Sequence, residues 1–264
     1  MAKGFAIVTG ASTGIGFELA HVAAVNGYDL LIVADEPLIE DAAADIRASG
    51  VSVDAIEADL STIDGVDRLL AAAAGRPVDL LFANAGRGLG HAFLDQTVKD
   101  WRLVVDTNIT GTLYLLQKVL TQMVARDAGR VLVTGSIAGY IPGTFNAVYN
   151  GTKAFVDNFT DALRNELKDS HVTITTLMPG PTETEFFDRA DLLDTQVGSQ
   201  EKDDAGKVAK DGWDALMKGE AHIVSGWKNW AQKTIANVTP ASLLAAQHRK
   251  MAKPGTAEPE KADR

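Results

Sequence analysis

Short, wholly apolar runs alternate along this chain with longer stretches in which apolar residues return every three or four positions. The first run, Phe5-Ala6-Ile7-Val8, has the unbroken hydrophobicity of a strand covered on both faces. Residues 17–24 follow it with helical spacing. The same rhythm predicts further strands at 28–34, 51–56, 78–83, 129–135, 172–177 and 221–224, and helices at 39–49, 66–74, 101–125, 149–167 and 207–218. Strands and helices in strict alternation join through right-handed crossovers, which build a parallel sheet with helices on both faces. The expected fold is therefore α/β, a Rossmann-like doubly wound sheet.

The connections carry the chemistry. Between the first strand and helix lies Thr9-Gly10-Ala11-Ser12-Thr13-Gly14-Ile15-Gly16. Glycines let the backbone turn tightly and approach a pyrophosphate, while the amide end of the helix receives its charge. The second strand ends at Asp35, where a carboxylate can bond the 2′-hydroxyl of an adenine ribose and repel a 2′-phosphate. Asp35 and the neutral Thr13 favour NAD over NADP; the alternative for Asp35 is a loop cap before Glu36 and Pro37. Ser136 stands at the carboxyl end of the fifth strand, where ligands bind in open α/β sheets. Tyr149 and Lys153, four apart on one helix, share a face, so an ammonium can sit beside a phenol and lower its pKa. Asn108, a poor residue for a helix interior, marks a local distortion of the helix at 101–125.

Composition narrows the function. The formal charge of −10 argues against nucleic-acid binding, which needs clustered Lys and Arg. With no cysteine, disulfides, thiolate metal sites and a cysteine nucleophile are excluded, and the five histidines lack ligand spacing, so no metal is expected. No signal segment or membrane-spanning run is found, and a cytoplasmic protein is expected. A chain of 264 residues suits one large domain, taken as 1–226, with an acidic segment at about 182–206 as a mobile lid. Phe186-Phe187 and Leu192-Leu193 are its apolar anchors. The extension at 227–264 reads as a helix capped by Thr239 with Pro240 at its first position, locally basic to Lys253 and disordered from Pro254. Such a basic helix can touch a membrane surface, although docking on the lid or on a partner subunit is more economical.

Taken together, these motifs resemble the short-chain dehydrogenase/reductase family over residues 4–226. The loop at 9–16 looks like the family's TGxxxGxG, Asn84-Ala85-Gly86 like its NAG motif, and Tyr149 with Lys153 like its YxxxK signature, with Ser136 thirteen residues upstream and Asn108 where the family carries an asparagine. The resemblance implies about seven parallel strands in the order 3-2-1-4-5-6-7. It implies a hydride transfer between a nicotinamide and a secondary alcohol, ketone or related carbonyl, with sugars, acyl thioesters and hydroxy acids left open. Tyr149 would be the general acid/base, Ser136 would orient the substrate oxygen, Lys153 would lower the phenol's pKa and bind the nicotinamide ribose, and Asn108 would hold a relay water. Gly10, Ser12, Thr13, Gly14, Ile15, Gly16, Asp35, Asp59, Leu60, Asn84, Ala85, Gly86, Pro179, Gly180 and Thr182 would line the cofactor site. Leu94, Ile137, Tyr140, Thr144, Phe145 and Phe186 are candidates for the substrate wall. Arg87 either meets an anionic substrate group or faces solvent. A homodimer or homotetramer is implied. From a different class, a non-catalytic dinucleotide-binding sensor or scaffold, contacting its partner through residues 227–253, is the alternative.

Overall fold

The computed structural model describes residues 2–257; the disorder expected for residues 258–264 lies outside these. Strands β1 (Gly4–Thr9), β2 (Tyr28–Ala34), β3 (Val53–Glu57), β4 (Leu80–Ala83), β5 (Gly129–Thr134), β6 (Val172–Met178) and β7 (His222–Val224) form one sheet in the order β3-β2-β1-β4-β5-β6-β7. Every neighbouring pair is parallel. This is the predicted doubly wound order, with the chain reversing direction along the sheet beside β1, where β1 and β4 part.

Alternation along the strands divides the core into two layers. Ala6 and Val8 of β1 join one apolar cluster with α1 (Gly14–Val25) and α2 (Ile39–Arg47). Phe5 and Ile7 join the other, with α3 (Ile63–Ala72). Helix α4 (Val98–Val105) leads into a π-helical segment, Asp106–Gly111, and then α5 (Thr112–Ala125), so the single helix predicted over 101–125 is interrupted. Asn108 lies inside that segment, as its poor helix propensity anticipated. The approach of this segment to the sheet is close: a Cβ on Gly111 would lie 1.9 Å from the Leu60 carbonyl oxygen.

The long α6 (Ala147–Glu166) presents Tyr149 and Lys153 from its first turns. Two short helices, α7 (Phe186–Arg189) and α8 (Gln196–Ser199), cross the lid, and α9 (Ala205–Lys218) returns beneath the sheet, capped by Asp204 accepting from the Lys207 amide at 2.7 Å. Trp213 of α9 is buried and packs against Phe82 and Tyr28, ring centroids 6.2 and 5.9 Å away. The extension holds two helices rather than one, α10 (Trp227–Val238) and α11 (Ala241–Ala252). Thr239 does not cap the second: its hydroxyl donates back to the Ile235 carbonyl and closes α10, leaving Pro240 at the cap position of α11. Residues 254–257 are anchored on the lid, with the Gly255 and Ala257 amides donating to Asp194. No helix of the described residues is long and apolar enough to cross a membrane.

Candidate active site

A cleft of about 970 Å³ opens over the carboxyl ends of the strands. Its floor at one end is the β1–α1 loop, in which Gly10 and Gly14 hold φ values of +65° and +57° that L side chains rarely adopt. Thr13 stands at the cap position of α1 without a side-chain bond to it, which leaves the first amides of the helix facing the cleft. Gly16 lies under the loop: a Cβ there would sit 1.9 Å from the Gly10 carbonyl oxygen and 2.5 Å from Asn84 Nδ2. Its part is close packing of helix on strand. Asn84 joins three strand ends, donating to the Thr9 and Gly10 carbonyls at 3.2 and 3.3 Å and accepting from Thr134 Oγ1 at 3.0 Å.

Ser12, Thr13, Ile15, Asp35, Asp59, Leu60, Ala85, Gly86, Pro179, Gly180 and Thr182 also line the cleft. Asp35 forms an ion pair with Arg87, which lines the cleft beside the end of β2 with its side chain partly exposed. A neighbouring carboxylate, which the motif reading passed over, forms a second cluster. Glu36 accepts from Ser12 Oγ at 2.5 Å and from Arg189 of the lid at 2.9 Å, while Arg189 also pairs with Glu185. Burial raises the Glu36 carboxyl, but the bonds from Ser12 and Arg189 and the nearby guanidinium charges outweigh it and hold it below its ordinary range.

At the other end Ser136, Tyr149 and Lys153 come together in the wall of the cleft. Ser136 is buried at the carboxyl end of β5, where its hydroxyl accepts from the Ala138 amide at 3.1 Å and donates to the Pro179 carbonyl at 3.4 Å. Lys153 Nζ donates to the Thr134 carbonyl at 2.6 Å and stands 5.9 Å from the centre of the Tyr149 ring. The electrostatics differ from the expectation that the ammonium draws the phenol down. Burial pushes Tyr149 up to about 12; interaction with the Ser136 hydroxyl pulls the other way, and the Asp157 carboxylate adds to the rise. Lys153 is itself depressed by burial to about 8, against the pull of Asp157.

Asn108 does not line the cleft. Its side chain is used internally: Oδ1 accepts from the Arg87 amide at 2.8 Å, and Nδ2 donates to the Arg87 carbonyl and to Thr152 Oγ1, both at 2.9 Å. It approaches Lys153 across Gly86, where an added Cβ would lie 3.4 Å from Asn108 Oδ1 and 3.6 Å from Lys153 Nζ. Both amide hydrogens of Asn108 are thus used within the protein, while Oδ1 keeps one lone pair.

The candidates for the substrate wall divide between the cleft and its surroundings. Ile137 and Phe186 line the cleft, and Phe186 packs on Tyr149, 5.1 Å between ring centroids. Phe187 and Leu192 anchor the lid in a small core, whereas Leu193 is half-exposed. Leu94 is 92 % exposed and does not line the cleft. Tyr140, Thr144 and Phe145 stay off it because the extension covers them: Lys233 lies over the Tyr140 ring at 4.6 Å, Arg249 over Phe145 at 5.2 Å, and Thr144 Oγ1 donates to the Ala245 carbonyl at 2.9 Å. In their place α10 and α11 bring Trp227, Leu244, Gln247, His248 and Met251 to the cleft. The His248 ring is bound to the Thr144 carbonyl at 2.9 Å through Nδ1, which is therefore the protonated nitrogen. Burial holds it below the ordinary histidine range although that bond raises it. The only sequence signal for this wall was the apolar and basic mixture after Pro240.

Comparison with known proteins agrees with this geometry. Residues 4–193 match the family model described as short chain dehydrogenase. An uncharacterized oxidoreductase of Myxococcus xanthus is 31 % identical over 255 residues, 93 % of this chain and 96 % of that protein. Among solved structures, a short-chain dehydrogenase from Sphingobium yanoikuyae in complex with NADPH superposes with a TM-score of 0.79 at 25 % identity, covering 90 % of this chain and 96 % of its own. A Burkholderia phymatum member in complex with NAD shares the fold, with a TM-score of 0.82 at 24 % identity over 88 % and 92 % of the two chains. A glycine loop under one end of the cleft, the Ser136, Tyr149 and Lys153 cluster under the other, and these likenesses over most of the chain have one explanation: the protein belongs to the short-chain dehydrogenase family of oxidoreductases.

Proposed function

We propose that the protein moves hydride between a nicotinamide dinucleotide, NAD in preference to NADP, and a secondary alcohol or ketone, with Tyr149 as general acid/base at the substrate oxygen. The observation that carries this reading is the continuity of one cleft from the glycine loop to Ser136, Tyr149 and Lys153, covered by Phe186. The fit to a dinucleotide rests on the backbone. Gly10 and Gly14 adopt conformations that L side chains rarely take, and the uncapped amides of α1 suit a pyrophosphate. Asp35, Asp59 and Leu60 would hold the adenosine end, and Lys153, Pro179, Gly180 and Thr182 the nicotinamide end. When bound, the nicotinamide supplies or accepts the hydride.

The chain's own residues handle the proton. A phenol raised to about 12 is protonated at neutral pH, so Tyr149 is ready to give its proton to a carbonyl oxygen. Ser136, fixed by the Ala138 amide, would donate to the same oxygen and stabilise charge as it develops. Phe186 keeps water from the Tyr149 ring face.

NAD preference is supported by the pairing at the end of β2. Two carboxylates, Asp35 and Glu36, stand there, and the guanidiniums of Arg87 and Arg189 are both committed to them, so neither is left to receive a 2′-phosphate. The test compares kcat/KM for NADH and NADPH in the wild type and in Asp35→Ala. NADH is expected to be favoured about 10-fold or more in the wild type, the worth of a hydrogen bond to a charged group, and Asp35→Ala to shrink that ratio. A wild-type preference for NADPH would overturn the assignment.

A further inference from the structure

Asp157 lies one helical turn beyond Lys153 on α6, on the same face. It is 5 % exposed, and neither carboxylate oxygen has a partner in hydrogen-bond geometry, although the Ser136 amide approaches closely enough to lower its pKa. Buried carboxyls of this kind are costly and uncommon. The carboxyl rests on bare backbone at the two glycines flanking Ser136: a Cβ on Gly135 would lie 1.9 Å from Oδ1, and one on Gly139 2.5 Å from Oδ2. It therefore sits directly behind the turn that carries Ser136.

We propose that Asp157 is a positioning residue of the active site, a buried counter-charge that sets how much positive charge Lys153 carries beside Tyr149. The inference rests on the reading of Lys153 as part of the catalytic set. Every group facing the carboxyl fits this part. Lys153 and Asp161 approach from its own helix, Lys233 from α10, and the Ser136 amide from the turn after β5, while Tyr140 and Tyr149 both feel its field. Asp161 is in turn paired with His222 of β7 at 3.3 Å. Burial raises Asp157 and lowers Lys153, so both move towards neutrality, and each charge favours the other. The two groups titrate as a pair, and the charge on Lys153 depends on the charge on Asp157.

Two measurements test the pairing, one of them independent of turnover. The first is thermal unfolding between about pH 5 and pH 9, a range spanning the two shifted titrations, of the wild type, Asp157→Asn, Lys153→Met and the double variant. A carboxyl whose pKa is raised in the folded state contributes stability at low pH that is lost as pH rises through the folded value. In Lys153→Met the carboxyl has lost its counter-charge, so the melting temperature should fall more steeply with rising pH than in the wild type. Adding Asp157→Asn should remove the extra slope. Additive effects of the two substitutions would overturn the pairing.

The second is the pH profile of kcat/KM. Without its counter-charge the Lys153 ammonium is less favoured, and in Asp157→Asn the limb reporting Lys153 should move to lower pH by about one unit or more. Should the asparagine amide not fit between the glycines, the smaller Asp157→Ala serves, with the same expectation. A part limited to packing would lower the rate equally at every pH, and an unmoved profile would overturn the proposal. If the wild type turned over no substrate, the catalytic reading would fail while the unfolding cycle still decided the pairing.

Discussion

Tyr149→Phe lowers kcat about 10²–10⁴-fold, the usual contribution of a positioned acid or base, while dinucleotide affinity changes little. The substitution removes one oxygen and keeps the ring that packs 5.1 Å from Phe186, so the lid retains its seat. Lys153 keeps its bond to the Thr134 carbonyl, and the glycine loop is untouched. What disappears is the proton at the substrate oxygen. The wild type should also show a direction-dependent response to pH. Because burial raises the phenol to about 12, its proton must be taken away before it can accept one from an alcohol, so oxidation should gain with rising pH more than reduction does. In the Phe variant that difference should vanish. Steady-state kinetics in both directions, with dinucleotide binding measured by titration, checks each part; full activity in the variant would remove Tyr149 from the acid/base role.

The second large effect concerns stability. Trp213→Ala is expected to cost about 3–5 kcal/mol, the range for removing a large aromatic from a well-packed core. In a chain of this size that lowers the melting temperature by roughly 6–20 °C. Trp213 is the aromatic by which α9 reaches the sheet, stacked on Phe82 of β4 and edge-on to Tyr28 of β2. It also belongs to the apolar layer that seats α1 behind the glycine loop. Loss of the indole should therefore weaken dinucleotide binding along with the fold. Calorimetry with and without saturating cofactor separates the two: the shortfall in melting temperature should widen at high ligand concentration, because the tighter-binding wild type gains more by mass action. A melting temperature within about 2 °C of the wild type would mean that the site collapses without penalty, contrary to its packing.

How much of this was legible in the sequence depended on where the partners of each residue lie. The strands were legible because residues buried on both faces, such as Ile7, Val8, Leu31 and Leu81, leave an unbroken apolar run. The interruption at Asn108 was legible because asparagine competes for backbone bonds in a helix. Helix α10 was not, because its amphipathicity is inverted. Asn229 and Ala236 are buried while Trp227 and Val238 are 77 % and 83 % exposed, so the apolar pattern pointed away from the core. The far lining of the cleft was illegible for a related reason. Tyr140, Thr144 and Phe145 are near Ser136 in the chain, but the cleft is lined by His248, 104 positions from its partner Thr144. No local period records such a contact. The electrostatics were the least legible: spacing places Lys153 beside Tyr149, but only the fold shows that burial lowers the Lys153 pKa and that Asp157 stands behind the turn of Ser136.

The central claim is that the cleft carries out nicotinamide-linked chemistry on a carbonyl or secondary alcohol. The most direct measurement is cofactor absorbance during incubation of the purified protein with NADH and a panel of ketones, aldehydes, keto acids and sugars, and with NAD and the matching secondary alcohols. Substrate-dependent oxidation of NADH by at least one ketone, absent in Tyr149→Phe, is the result expected here. Tight dinucleotide binding with no turnover of any member of the panel would contradict it and leave a binding protein in place of an enzyme.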